Sequence, residues 1–369
     1  MVEFDAFGPE KILEVYNPRV GMKGFVVIDN LSLGPAKGGI RMTPTVSIDE
    51  VAKLARTMTW KSAMAGLPFG GGKSGIIANP KEFSVEKKKE IVEAFSEALK
   101  VVCPDYYIAA PDINTGEQEM GWFAKANGSK KSCTGKPKKM GGIPHELGST
   151  GFGVAHATLI ALRHIKKDVK KISFAVEGFG SVGTFAAKFL TESGATLKAV
   201  SDSKGCIYVE KGINYDKLMK VKEETGSVIN YNGKKGSCQN IIRAQVDVLI
   251  TAAIPDVIKA GDIDSVKAKL IVEGSNIPMS EQVEELLHKK GILVIPDFVA
   301  NAGGVISSYI EYKGGSVQKM FKMVKEKVCK NTDLVLTQAE KKKTYPRAAA
   351  LEIARKRVLE KCDVCAVKF

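Results

Sequence analysis

Along the chain, short β-branched runs alternate with longer apolar stripes at helical spacing, and glycine or proline marks most of the changes. A short amphipathic start at Lys11-Ile12-Leu13 and a turn at Pro18-Arg19 precede Gly24–Asn30. Its run Phe25-Val26-Val27-Ile28 reads as a strand. Ser47-Ile48-Asp49-Glu50 is a capping box, and Val51, Leu54, Ala55 and Met58 then recur on one helical face. Three residues further, that stripe reaches Lys61. A lysine there is costly unless its stem snorkels to water or its ammonium is paired or used.

Glu86–Val101 is a second helix, with Ile91, Phe95, Ala98 and Leu99 on one side. Tyr106–Ala110 is a strand, closed by Pro111, which cannot donate to a ladder, so Asp112 is expected at a strand tip. Residues 125–142 are basic and weakly patterned and read as the approach to a domain boundary. Ser149-Thr150 then opens an alanine-rich helix reaching about Lys166. Ile172–Glu177, Leu197–Asp202, Val246–Ile250, Leu270–Glu273 and Ile292–Ile295 are strand-like. The last three end in Thr251-Ala252-Ala253, Gly274-Ser275-Asn276 and Pro296-Asp297. Asn301–Val305 opens a helix holding Ser307 and Ser308, and a final helix, Ala348–Lys361, follows Pro346. No internal repeat is visible. The alternation predicts an α/β fold with an open parallel sheet, in which ligands lie beyond the carboxyl ends of the strands.

Three glycine-rich stretches carry candidate chemistry. Gly34–Arg41 reads as a glycine turn presenting Lys37 and Arg41 to an anion. Gly66–Gly72 reads as a second turn delivering Lys73. Gly72-Lys73-Ser74 invites a phosphate-loop reading, which fails. Five residues separate Gly66 from Gly72 where the motif has four, and a strand-like stretch follows where a helix should open. The third is Gly178-Phe179-Gly180-Ser181-Val182-Gly183. It follows a strand directly and opens a helix, and Asp202 closes the next strand twenty-four residues after Gly178. Together these form a strong dinucleotide signal, with pyrophosphate at the helix N-terminus and Asp202 accepting from the adenosine ribose.

Charge and cysteine usage narrow the classes. Net charge is +14, spread over many helical faces as in Lys87-Lys88-Lys89. No interleaved aromatics or recognition motif accompany it, so a solvated surface is expected rather than nucleic-acid binding. No apolar run is long enough to span a membrane, and the opening residues do not read as a signal peptide. The seven scattered cysteines suit reduced thiols in a cytoplasmic protein. Cys362 and Cys365 form a C-x-x-C, but no second pair or nearby histidine completes a metal site, so no metal is expected.

Taken in order, several of these segments resemble the glutamate, leucine, phenylalanine and valine dehydrogenases over nearly the whole chain. They are Lys37–Arg41, Met58-Thr59-Trp60-Lys61, Leu67–Lys73, Ala110-Pro111-Asp112, Gly178–Gly183 and Asn301–Val305. The resemblance implies a substrate-binding and oligomerisation domain over residues 1–148, completed by about 345–369. A Rossmann-type NAD(P) domain would occupy 149–344, with a C-terminal helix returning to the first domain.

Roles follow position by position from the same resemblance. Lys73 resembles the catalytic lysine, Asp112 its acid/base partner, and Lys61 the lysine that holds the α-carboxylate; Ala110 belongs to the same substrate segment. Thr150, Ala252, Asn276 and Asn301 match positions along the nicotinamide cleft, beside Gly178, Gly180, Ser181, Val182, Gly183 and Asp202. Lys37 and Ser308 stand where glutamate-type members carry a lysine and a serine, and leucine-type members carry apolar residues. The resemblance therefore implies reversible oxidative deamination of an L-amino acid, with L-glutamate favoured and leucine, valine or phenylalanine as alternatives. It also implies a homo-oligomer, with a hexamer favoured. Asp202 suits NAD, while Ser201, Ser203 and Lys204 could hold the ribose phosphate of NADP, and both cofactors stay open. Two rival classes are a basic nucleic-acid-binding protein and a non-catalytic ligand sensor. The second would be expected to lack Lys73 or Asp112.

Overall fold

The computed structural model describes residues 2–362, apart from the side chain of His145, so the Cys362/Cys365 pair lies partly outside the described residues. By its internal packing the chain divides into two compact units. Met1–His145, Val305–Met320 and Ile353–Phe369 form one, and Glu146–Gly304 and Phe321–Glu352 form the other.

In the first unit, strands β1 (Lys11–Asn17), β2 (Met22–Asn30), β3 (Ala36–Thr43), β4 (Gly70–Ile77) and β5 (Tyr107–Pro111) form a sheet ordered β1-β2-β4-β3-β5. β1 and β4 are antiparallel to β2, whereas β3 is parallel to both β4 and β5. Alternation divides the sheet's two faces. Val26, Ile28, Ile40, Met42 and Tyr107 pack with residues of α2 (Val85–Ala98) and α3 (Glu117–Asn127). Phe25 and Val27 pack on the other face with Val51 and Ala55 of α1 (Ile48–Met64). The Ser47 hydroxyl accepts from Glu50 N and opens α1, as the capping box predicts.

The first two glycine stretches are strands rather than turns. Lys37 and Arg41 lie within β3, and Lys73 lies within β4. The reason for glycine is close approach. A Cβ on Gly71 would stand 2.0 Å from Thr59 Oγ1 of α1, and one on Gly39 would stand 2.7 Å from Asp112 Cβ. Helix α3 was not foreseen. It begins after Gly116, whose N–H is taken by the Glu119 carboxylate at 2.7 Å, a cap with no hydroxyl or amide to announce it.

The second unit opens with α4 (Ser149–His164) and β6 (Ser173–Glu177), followed by α5 (Ser181–Glu192), β7 (Thr196–Asp202) and β8 (Gly205–Tyr208). Next come α6 (Tyr215–Thr225), β9 (Lys234–Gly236), β10 (Val248–Thr251), β11 (Leu270–Glu273), α7 (Glu281–Lys289), β12 (Leu293–Ile295) and α8 (Asp297–Ala300). Its sheet is ordered β12-β11-β10-β6-β7-β8-β9. The five strands from β12 to β7 are parallel, and β8 and β9 extend the edge antiparallel. Those two short strands were not foreseen. The chain leaves β6 toward β7 and returns to β6's other side as β10, which makes the carboxyl ends of β6 and β10 the topological switch point.

Three helices then carry the chain between units: α9 (Gly303–Tyr312), α10 (Val317–Lys342) and α11 (Pro346–Leu359). Sequence reading foresaw α9 and α11 but not the 26-residue α10. Among the described residues, no helix is long and apolar enough to cross a membrane.

Candidate active site

In the first unit, strand alternation puts Lys37 and Arg41 of β3, Lys73 of β4 and Ala110 of β5 on the α1 face of the sheet. The register aligns Lys37 with Gly71 and Gly39 with Ala110. Lys73 Nζ lies 3.3 Å from Asp112 Oδ2, and the same oxygen accepts from Arg41 Nε at 2.9 Å. Arg41 also pairs with Glu50 Oε1 at 2.5 Å, which orients its guanidinium. Asp112 N donates to Thr115 Oγ1 at 2.9 Å, and that hydroxyl donates to Ile40 O at 2.7 Å, tying the tip of β5 to β3. Sequence reading had not singled out Glu50 or Thr115 as supports. Each reaches strand β3 from outside it, Glu50 from α1 and Thr115 from the loop after β5, and no local pattern announces those contacts.

Charge tuning follows from this geometry. Burial pulls Lys73 below the usual lysine value; Arg41 adds to the effect and Asp112 opposes it. Burial acts to raise Asp112, but Lys73 and Arg41 beside it outweigh that and hold the carboxyl below its ordinary range. The site therefore pairs a lysine prone to lose its proton with a carboxylate that keeps its charge.

Lys37 is 2% exposed, and its Nζ donates to Ala109 O at 3.1 Å. Burial pulls this lysine down to about 7, against the raising influence of Glu311. Glu311, on α9, anchors the loop after α3. It accepts from Gly135 N, Lys136 N and Ile143 N and pairs with Lys136 Nζ at 2.6 Å. Ser308 lies one helical turn earlier on α9 and is half-buried, as is Lys61 in the last turn of α1.

In the second unit, Gly178 takes φ +84 at the end of β6, and Ser181 begins α5. A Cβ on Gly183 would meet Gly178 O at 2.0 Å, whereas one on Gly180 would meet open space. The fingerprint thus closes the strand-to-helix turn tightly and leaves its middle accessible. Asp202 ends β7, with its carboxylate already engaged. Oδ1 accepts from Lys204 N at 2.9 Å and Ser227 Oγ at 3.1 Å; Oδ2 accepts from Ser227 Oγ at 2.8 Å and Val228 N at 2.7 Å.

At the end of β10, Glu177 Oε2 holds Ala252 N and Ala253 N at 3.0 and 3.1 Å, a support that sequence reading missed. Asn301 Nδ2 donates to Gly274 O, Ser275 O and Asn276 Oδ1 at 3.3, 3.3 and 3.0 Å. Thr150 is half-buried in the first turn of α4, and a Cβ on Gly304 would stand 3.1 Å from its Oγ1. Thr251 Oγ1, Ser275 Oγ and Asn301 Oδ1 are buried with no hydrogen-bond partner in the protein. Buried polar atoms ordinarily have partners, so two orphans at the carboxyl ends of β10 and β11 and a third on Asn301, whose amide reaches the loop after β11, fit a ligand rich in amide and hydroxyl groups.

Comparison with known proteins places this arrangement. Residues 141–364 match the Glutamate/Leucine/Phenylalanine/Valine dehydrogenase family, and residues 9–128 match the Glu/Leu/Phe/Val dehydrogenase dimerisation domain. The chain is 43% identical over 347 residues to the glutamate dehydrogenase of Aeropyrum pernix, covering 89% of this chain and 83% of that one. It is 42% identical over 291 residues to the NADP-specific glutamate dehydrogenase of Saccharolobus shibatae, covering 77% and 69% respectively. In structure it resembles the hetero-hexameric glutamate dehydrogenase of Thermus thermophilus in its leucine-bound form, with TM-score 0.86 at 27% identity, over 98% of this chain and 91% of that one. A glycine fingerprint at the switch point of one unit, a lysine–aspartate pair in the other, and matches over most of the chain agree: the protein is a member of the Glu/Leu/Phe/Val dehydrogenase family.

Proposed function

We propose that this enzyme catalyses the reversible oxidative deamination of L-glutamate to 2-oxoglutarate and ammonia, with NADP as its preferred cofactor. The observation that carries the substrate reading is Lys37. A lysine 2% exposed whose ammonium meets a carbonyl lacks a full counter-charge at that contact, and a substrate with a second carboxylate supplies one. Ser308 adds a hydroxyl to the distal carboxylate, Lys61 takes the α-carboxylate, and Ala110 lines the same pocket. The relatives from A. pernix and S. shibatae are both named glutamate dehydrogenases.

The cofactor, when bound, accepts hydride from the substrate Cα. Everything else falls to the chain's own side chains. Lys73, with its lowered proton affinity, takes the proton from the water that attacks the resulting iminium carbon. Asp112, a carboxylate at rest, relays the proton that Lys73 takes up on to the departing nitrogen, and Arg41 holds that carboxylate in place. Gly178, Gly180, Ser181, Val182 and Gly183 would receive the pyrophosphate at the N-terminus of α5. Thr150, Ala252, Asn276 and Asn301 would line the nicotinamide, where the orphaned Asn301 Oδ1 suits a carboxamide donor.

The preference for NADP rests on Asp202. Its oxygens already accept from Ser227, Val228 and Lys204, which leaves little for ribose hydroxyls, while Ser203 and Lys204 are exposed beside it. The relative from S. shibatae is named NADP-specific. We further propose the substrate and assembly role for residues 1–148 with 345–369, the nucleotide role for 149–344 apart from the α9 segment that carries Ser308, a homo-hexamer, and a cytoplasmic location.

A spectrophotometric assay crossing NAD and NADP with glutamate, leucine, valine and phenylalanine tests the reading. Turnover of glutamate with NADP is expected. Turnover of leucine without glutamate would overturn the assignment of Lys37 and Ser308.

A further inference from the structure

In the second unit, one arginine gathers three buried carboxylates. Arg347, at the start of α11, places Nη2 2.9 Å from Glu273 Oε2 and 2.9 Å from Asp297 Oδ1, and its Nε pairs with Glu284 Oε1. Those carboxylates come from three elements: the end of β11, the middle of α7 and the start of α8. Their side chains are 0%, 1% and 3% exposed, and Arg347 is 14% exposed with its guanidinium over the Phe298 ring. So buried a cluster is poor evidence of added stability, because desolvating the charges consumes much of their attraction. Its connections indicate another role.

Asp297 Oδ2 accepts from Ile277 N at 2.9 Å, Oδ1 accepts from Phe298 N at 2.9 Å, and Asp297 N donates to Glu273 Oε2 at 2.8 Å. Ile277 takes φ 50, a left-handed conformation costly for a β-branched residue, so the surroundings must hold it. It directly follows Gly274-Ser275-Asn276, the loop beyond β11 that the Asn301 amide clasps from the other side. Asn301 N is itself bonded to Asp297 O at 2.8 Å. One aspartate thus fixes both the far end of the loop and the helical turn carrying Asn301, and Arg347 fixes that aspartate.

We infer that Arg347 is a positioning residue of the cofactor site, acting through Asp297 to hold the Gly274–Ile277 loop and Asn301 in register. The inference rests on the nicotinamide-cofactor reading above. It assigns a role in binding to a side chain that lies some seventy residues along the chain from that loop and belongs to none of the motifs read from the sequence.

The test measures binding of NADPH and NADH by nicotinamide fluorescence, apart from turnover. Arg347→Lys and Asp297→Asn are made singly and together, with folding checked by thermal melting. Arg347→Lys keeps the charge but loses the forked geometry. Each single variant should raise the dissociation constant of the preferred cofactor by roughly tenfold, the size of one lost charge-assisted hydrogen bond. The double variant should be no worse than the worse single one, because both break the same support. At saturating cofactor, the KM for glutamate should change less than about twofold, which general loosening of the protein would not spare. A folded Arg347→Lys with native cofactor affinity overturns the inference, as do additive losses in the double variant. If Arg347→Lys does not fold, a folded Asp297→Asn with native affinity is equally fatal. Wild-type protein that binds neither cofactor would defeat the cofactor reading itself, and the inference with it.

Discussion

Lys73 Nζ and Asp112 Oδ2 stand 3.3 Å apart across β3, with Arg41 on the same carboxylate oxygen. Two cations on one carboxylate make the lysine the group that yields a proton first, because Arg41 stays charged at any working pH. Replacing Lys73 by alanine leaves Asp112 paired with Arg41, so the fold should survive. Turnover should fall by about 10²–10⁴-fold, the usual contribution of a positioned general base. Cofactor affinity should be unchanged, since the fingerprint lies in the other unit. Stopped-flow assay and cofactor titration on one preparation decide the matter; near-normal turnover would remove Lys73 from the mechanism.

Lys37 is expected to trade stability for substrate binding. Its proton affinity in the folded chain is lowered to about 7 from 10.5. Between those pH values the unfolded chain holds a proton that the folded chain lacks, so stability on this account rises with pH across that window. At and below pH 7 the full cost applies, on the order of 5 kcal/mol. Lys37→Met should therefore melt several degrees higher at pH 7, with the gain shrinking toward pH 10. Its KM for glutamate should rise about 100-fold through loss of a charge-assisted bond. Calorimetry at the two pH values and steady-state kinetics check both halves. A variant less stable than wild type at pH 7 would mean that Lys37 is paired well enough to support the fold.

The features legible in the sequence were those with local causes. The Ser47 cap, the Pro111 stop before Asp112 and the strand–fingerprint–helix run at 173–192 each depend on neighbours in sequence, and each lies where expected. Glycines 38–39 and 70–72 misled because glycine normally weakens strands, and the demand for it here is tertiary: Thr59 presses on Gly71 and Asp112 on Gly39. Helix α10 did carry a signal. Met320, Val324, Val328 and Val335 are all buried at helical spacing, but the many lysines between them obscured the stripe. Nothing local marks Glu177, Glu311 or Arg347, whose partners lie far along the chain.

Cofactor choice should respond to Ser227, a residue outside the fingerprint. Its hydroxyl occupies both oxygens of Asp202, at 3.1 and 2.8 Å. Ser227→Ala removes that donor and returns lone pairs to the ribose side, where a free diol can donate to them. Affinity for NADH should improve several-fold while affinity for NADPH weakens, because the released carboxylate repels a 2′-phosphate. Fluorescence titration of both reduced cofactors gives the ratio. An unchanged ratio would show that Asp202 does not discriminate between them.

The pH profile of stability should carry the mark of Glu284. Burial raises this carboxyl to about 7 from 4.5 despite Arg347 beside it. Glu273 is raised well above its ordinary value by burial and by the neighbouring Glu284. Glu273 Oε1 and Glu284 Oε2 are both buried with no donor, and three carboxylates facing one guanidinium require a proton among them. For a group whose proton affinity is raised on folding, the stabilisation is full below about pH 4.5 and is lost as pH climbs through about 7. By pH 8 the loss is on the order of 3 kcal/mol. Glu284→Gln keeps the shape, still accepts from Arg347, can donate to Glu273 and never ionises. It should melt several degrees above wild type at pH 8 and close to wild type at pH 5. Melting curves at the two pH values suffice, and an equal gain at both would show that ionisation of Glu284 plays no part.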